Sequence, residues 1–246
     1  MRLLSLTALT LASLAVFVAC GGTDDVAGKD FDRGRPGASG GAGGEATGGV
    51  GGETGGVGGE VSEAEAPDFL ADYPAGPYGD DLNAILPNYR VTGWRNPQSV
   101  DYDIEQLEVI QMSDYYDPDG SKNIKLIMIN SSAQWCPPCR AEYRYFDTNG
   151  TYAKYRALGV EFIGSLMENN ANDPPRLIDG QAWAKSYKVP FPFLIDTGFK
   201  LGGLFTMDAI PNNSVVDAKT MKIIRLLPGG DTAGMLAYFD RELPKH

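Results

Sequence analysis

Two cysteines stand two prolines apart in Cys136-Pro137-Pro138-Cys139, directly after the apolar run at residues 124–129. Lys125-Leu-Ile-Met-Ile129 is a short continuous apolar run with β-branched residues, which predicts a buried strand. Residues 140–158 have helix-forming composition, with apolar or aromatic positions at Tyr143, Phe146, Ala153, Tyr155 and Leu158. Pro137 and Pro138 suit the first turn of that helix, where a missing N–H costs nothing. This places Cys136 at the positive end of a helix, where unpaired N–H groups lower a thiol pKa and make the thiolate available near neutral pH.

Counting potential ligands narrows the use of the pair. The chain has three cysteines and one histidine, His246. A structural zinc site normally takes four Cys or His ligands, so an intrachain zinc site is disfavoured and no metal is expected. A copper site would want a distant histidine to complete the thiolates. A structural staple would close a very small loop, worth about 2 kcal/mol on the chain-entropy estimate. Redox chemistry is the favoured use, with no bound cofactor expected.

The first quarter of the chain is different material. Residues 34–59 hold fourteen of the thirty-one glycines, with a slipped near-repeat, Gly-Gly-Glu-Ala-Thr-Gly-Gly-Val then Gly-Gly-Glu-Thr-Gly-Gly-Val. Such a tract buries too little to offset its backbone entropy and predicts a flexible coil. Before it, Met1-Arg2 leads into an apolar stretch at 3–18 and then Ala19-Cys20-Gly21-Gly22, the pattern of a secretory signal and short for a membrane span. Phe17-Val18-Ala19-Cys20 resembles the lipobox of bacterial lipoproteins, which implies a diacylglycerol thioether at Cys20. The expected division is a signal peptide at 1–19, a lipid-anchored linker at 20–66 and one globular domain at 67–246. The linker would span roughly 35 to 40 Å as a Gly-rich coil. By analogy with the lipoproteins of enteric bacteria, where Asp after the lipidated cysteine marks inner-membrane retention, Gly21 implies the outer membrane of the cell envelope, on the periplasmic or surface side. A net charge of −11 with no basic stripe argues against a nucleic-acid partner.

Trp135-Cys136-Pro137-Pro138-Cys139 after such a strand resembles the thioredoxin fold, in particular the TlpA/ResA-like extracytoplasmic thiol–disulfide oxidoreductases, over about residues 109–246. The resemblance implies an α/β fold: a central mixed sheet flanked by helices, with a TlpA/ResA-type insertion and an N-terminal extension. It implies that Cys136 is an exposed nucleophile and Cys139 a buried resolving thiol. It places Glu142 where such proteins carry a helix glutamate that manages protons for the pair; the alternative is a carboxylate that merely complements the helix dipole. Ala209-Ile210-Pro211-Asn212-Asn213 matches the family's cis-proline segment, so that Ile210 and Pro211, with Trp135, would contact an extended partner segment. Further strands are expected at 160–167 and 191–195, a helix at 181–187, a hairpin from 214–216 and 223–227, and a last helix at 232–243. Residues 78–116 would supply extra strands or a wrapping segment. Trp183 reads as a core residue.

Two departures from the family pattern stand out. Asn130 occupies a position where minimal thioredoxins bury an aspartate, so Glu142 or water would take over its proton. Ser131-Ser132 replaces an aromatic pair, which predicts a more open and more polar site. The leading function is a membrane-tethered thiol–disulfide oxidoreductase, more as reductant than oxidant, acting on protein thiols or disulfides with an unidentified redox partner. A peroxidase of the peroxiredoxin type would want Thr where Ala133 stands. A surface-displayed binding module that merely retains the cysteine bond is the non-enzymatic alternative.

Overall fold

The computed structural model describes residues 73–204 and 209–246. The expected signal peptide, the linker and Cys20 lie outside them. In chain order the elements are β1 (Arg90–Trp94), β2 (Glu108–Gln111), β3 (Leu126–Ala133), α1 (Pro137–Thr148), α2 (Thr151–Ala157), β4 (Val160–Glu168), α3 (Leu177–Ser186), β5 (Phe193–Ile195), β6 (Asn212–Asp217), β7 (Ile223–Pro228) and α4 (Thr232–Glu242).

The seven strands form one mixed sheet in the order β2-β1-β5-β4-β3-β6-β7. Strand β3 runs parallel to β4 and antiparallel to β6, so it sits inside the sheet with a partner on each side. All eight of its residues are buried. Its side chains alternate between two cores. Leu126 and Met128 join Phe146, Phe162, Phe191 and Phe239 on one face, while Ile127 and Ile129 join Leu86, Ile110, Ile163 and Val216 on the other. A strand covered on both faces has no polar side to show, which is why its sequence reads as an unbroken apolar run. From β3 onward the alternation of strands and helices is that of the thioredoxin-like fold.

Residues 78–116 do two jobs. The hairpin β1–β2 extends the sheet through antiparallel pairing of β1 with β5. The chain ahead of it packs Tyr73 and Leu86 into the second core and touches the far edge of the sheet through an Ile85–Lys222 bridge. Both expected uses of the segment are therefore present.

The helix expected over 140–158 is two helices. Gly150 adopts a left-handed φ of 57°, and α1 ends at Asn149, whose amide donates to the carbonyl of Tyr145 at 3.2 Å. Asn-Gly is a turn signal, and here it overrides the surrounding helical composition. Helix α3 starts earlier than the composition predicts. The Asp179 carboxylate accepts from the Arg176 amide at 2.9 Å and from its guanidinium, which satisfies the first turn. Strand β5 is shorter than expected because Pro192 has no N–H to give to the ladder, although its carbonyl accepts from Gly164 at 2.8 Å.

Gly164 also sets the depth at which α1 lies over the sheet. A Cβ there would collide with the Tyr143 hydroxyl and come within 2.8 Å of the Phe193 ring. Gly164→Ala is expected to cost about 1 to 3 kcal/mol by overpacking, read as a lowered urea midpoint at unchanged m-value.

Candidate functional site

Strand β3 delivers the motif. It ends at Ala133, the chain turns through Gln134 and Trp135, and α1 begins with Pro137 and Pro138 in its first turn. Cys136 is the N-cap residue, and its Sγ accepts a hydrogen bond from the Cys139 amide at 3.1 Å. That amide is one of the donors that the first turn of a helix leaves unpaired, and the absent proline N–H groups do not compete for the sulfur. Cys136 and Cys139 are joined by a disulfide, with Cα atoms 5.3 Å apart.

The sequence predicts an exposed Cys136. In this oxidised structure Cys136 is 1% exposed and Cys139 is fully buried, so the expected difference in exposure between them is absent. What covers Cys136 is the segment predicted to face it. The Ile210–Pro211 peptide is cis, and the Ile210 carbonyl oxygen lies 3.6 Å from the Cys136 Sγ. Pro211 is buried and Ile210 half-buried. The turn after β7 lies against the start of the same helix, where a Cβ on Gly230 would meet Pro138 at 3.3 Å.

Trp135 is 40% exposed beside the disulfide, and its indole N–H donates to Glu168 at 2.8 Å. Gln134 fixes the neighbouring loop: its amide nitrogen donates to the Asp179 carbonyl and its amide oxygen accepts from the Asn170 amide. Arg140 spans the same region, donating to the Gln134 carbonyl at 2.7 Å and to the Asn170 side chain at 3.0 Å. A cleft of about 120 Å³ opens between these residues and Trp183 and Tyr187. Trp183 itself is buried against Tyr143, their rings 5.2 Å apart, as a core residue should be.

Glu142 lies one turn along α1 from Cys139, on the same helix face. It is only 2% exposed. Its two carboxylate oxygens accept from Asn130 at 2.8 Å, from Asn213 at 3.0 and 3.2 Å, and from the Thr232 hydroxyl at 3.2 Å. A carboxylate that only complements a helix dipole would sit in solvent, so the burial argues against that alternative. Burial pushes the Glu142 pKa up to about 7; the hydrogen bonds from Asn213, Thr232 and Asn130 act in the opposite direction, and the nearby Asp231 carboxylate raises it further.

The serines preceding the motif correct a second expectation. Ser131 and Ser132 make the site polar, yet both are fully buried and do not open it. Ser131 donates to the Leu201 carbonyl and Ser132 to the Asn130 side-chain oxygen at 2.6 Å. Sequence reasoning named Asn130 for what it lacks and passed over Asn213 and Thr232. The available signal was Asn212-Asn213-Ser214, three polar residues running from Pro211 into the strand expected over 214–216.

Among known families, the model of the AhpC/TSA family matches residues 98–225, just over half of the chain. The thiol-disulfide oxidoreductase ResA of a Bacillus cereus strain is 30% identical over 112 residues, 46% of this chain and 60% of the relative. ResA of Bacillus anthracis matches with the same identity and coverage. The chain thus spans about 60% of the length of the curated relatives it matches. Among solved structures, the thioredoxin domain of a thiol-disulfide oxidoreductase from Bacteroides vulgatus aligns at 16% identity with a TM-score of 0.46, covering 65% of this chain and 97% of that one.

The raised Glu142 pKa has a thermodynamic consequence. The folded state holds this proton more tightly than the unfolded chain, so stability from the group is fully present below pH 4.5 and is lost as pH rises towards 7. Glu142→Gln carries no such proton. Its stability relative to wild type is expected to increase by as much as about 3 kcal/mol between pH 4.5 and 7 and to stay level above that. Chemical denaturation of the oxidised proteins across this range checks it, and parallel curves would refute the assignment.

Proposed function

The chain belongs to the AhpC/TSA family, and from that premise we propose that it is an extracytoplasmic thiol–disulfide oxidoreductase that works on protein partners through Cys136 and Cys139. The observation that carries this reading is the hydrogen bond from the Cys139 amide to the Cys136 sulfur at the start of α1, opposite the cis-proline segment. In the reduced protein that donor stabilises a thiolate at Cys136, the attacking species. The Cys136 thiolate attacks one sulfur of a partner disulfide, forming a mixed disulfide and expelling the partner's other sulfur as a thiolate. Cys139 then loses its proton and attacks the Cys136 sulfur, which forms the intramolecular disulfide and releases the second partner thiolate. Two electrons pass from the cysteine pair to the partner, and an external dithiol returns them. We favour this reducing direction.

Each remaining part has a role. Ile210 and Pro211 would seat an extended partner segment by backbone pairing. Trp135 would offer its exposed ring beside the sulfurs, and Glu142 would take and return the Cys139 proton. Ala133 leaves the position before the motif without the hydroxyl that a peroxidase would use. A binding module that keeps the bond unused would need neither a capped sulfur nor a buried carboxyl, and an insulin-reduction assay separates the two readings.

We also assign the chain to the cell envelope, with residues 1–19 as signal peptide, Cys20 carrying diacylglycerol and residues 20–66 tethering the domain, preferentially to the outer membrane. Among the described residues no helix is long and apolar enough to cross a membrane. Two or three acyl chains would hold the protein firmly, since each buried methylene contributes about 0.8 kcal/mol. A palmitate analogue should label wild type in cells and leave Cys20→Ala unlabelled; wild type found unlabelled in the soluble fraction would rule the anchor out.

The exchange reading is tested by trapping. Cys139→Ser should leave partners covalently held on Cys136, because no second thiol remains to release them. Cys136→Ser should trap little, since Cys139 lies within the first helical turn and lacks the cap position at which an unpaired amide stabilises a thiolate on Cys136. Acid quenching, non-reducing gels and mass spectrometry of shifted bands read the result. Equal trapping by both variants would overturn the roles, and no adducts from either would favour the binding module.

A further inference from the structure

Asn130 on β3 and Asn213 on β6 are directly opposed cross-strand partners, both buried. Their amides are not free to choose which end faces the carboxyl. The ionised Glu142 carboxyl only accepts, so the Asn130 nitrogen faces it and donates to both Glu142 Oε2 and the Asn213 oxygen, each at 2.8 Å, while the Asn130 oxygen accepts from the Ser132 hydroxyl. With its oxygen committed to Asn130, Asn213 can turn only its nitrogen to Glu142, where it reaches both carboxylate oxygens. Reversed, it would set an amide oxygen against a carboxylate, with lone pairs in opposition.

We propose that Asn213 is a positioning residue for thiol exchange, whose amide, paired with Asn130, holds the Glu142 carboxyl ionised and ready to accept a proton beside Cys139. The inference rests on the exchange reading above and adds to it what keeps a buried, desolvated carboxyl able to ionise. Without such donors, burial alone would leave Glu142 protonated and unable to take a proton. Pro211 stands two residues earlier, immediately before the same strand, so the segment that would seat a partner leads directly into the one that holds the proton acceptor in place.

The groups facing Glu142 come from each element packed on it: Asn130 from β3, Asn213 from β6, and Thr232 with the charged Asp231 from the start of α4. On α1 its neighbours are Tyr143, kept protonated by complete burial, and the two cysteines, which titrate once reduced. Asn213 reaches both carboxylate oxygens, whereas Asn130 and Thr232 each reach one.

The test measures titration directly. The Glu142 carboxyl is followed by carbon NMR of glutamate-labelled full chain, and Cys136 by its rate of alkylation with iodoacetamide against pH after reduction. Asn213→Ala should move the Glu142 titration upward by about one pH unit, the effect of losing a hydrogen bond to a charged group worth about 1.5 kcal/mol. It should move the corresponding inflection of the alkylation profile in the same direction. In a Glu142→Gln background, Asn213→Ala should leave the alkylation profile unchanged. Should Asn213→Ala fail to fold, the near-isosteric Asn213→Asp folds at low pH with both carboxyls protonated, and should raise the Glu142 titration further through like-charge repulsion. A Glu142 titration that stays in place, or equal shifts in both backgrounds, would overturn the proposal. Because neither readout needs a partner protein, a failed trapping experiment with an intact titration shift would refute the exchange reading and leave this coupling standing.

Discussion

The central strand β3 is buried on both faces, and the site hangs from that constraint. A strand with two parallel or antiparallel partners and a core on each side cannot slip by one residue without turning its apolar set into the wrong layer. Its C-terminal end is therefore fixed in space, and with it the point where the chain leaves the sheet and winds into α1. Cys136 caps that helix because Ala133 closes the strand three residues earlier and the two prolines start the turn. Gly164 on β4 and Tyr143 on α1 then set how closely the helix lies against the sheet.

The same strand changes character along its length. Its first half is apolar and builds two cores, while Asn130, Ser131 and Ser132 are polar and equally buried. Buried polar groups are costly unless paired, and here each of their side chains finds a partner: Ser132 and Asn213 for Asn130, together with Glu142 on α1, and the Leu201 carbonyl for Ser131. The result is a small buried network in which Asn130 links the Ser132 hydroxyl, Asn213 and the Glu142 carboxyl. Without these donors the burial that raises the Glu142 pKa would suppress its ionised form; with them the group titrates near neutrality.

Burial of Cys136 in the oxidised state fits this arrangement. The cis-proline segment lies against the sulfur and the turn bearing Gly230 against Pro138, and both lead into elements that also contact Glu142: β6 through Asn213 and α4 through Thr232. The surfaces that would meet a partner and the groups that would hold its proton thus belong to the same two pieces of chain.

Much of this was legible in the sequence because it depends on local chemistry. The apolar run, the double proline and the cysteine spacing determined a strand, a helix start and a capped sulfur, since each follows from backbone hydrogen bonding and φ restraint within a few residues. The X-Pro step ahead of a strand located the segment opposite the sulfurs. Where sequence reading erred locally, at the Asn149-Gly150 break and the start of α3, a turn residue and an ion-paired first turn outweighed average composition. Tertiary structure alone decided the burial of Cys136, the closed position of Ser131 and Ser132, and the surroundings of Glu142. Asn130, Glu142, Asn213 and Thr232 are spread over about a hundred residues of chain, and no local pattern states that they meet. Their meeting follows from β3 pairing with β6 and from α1 and α4 packing on the same side of the sheet, so the electrostatics of the carboxyl came only with the folded arrangement.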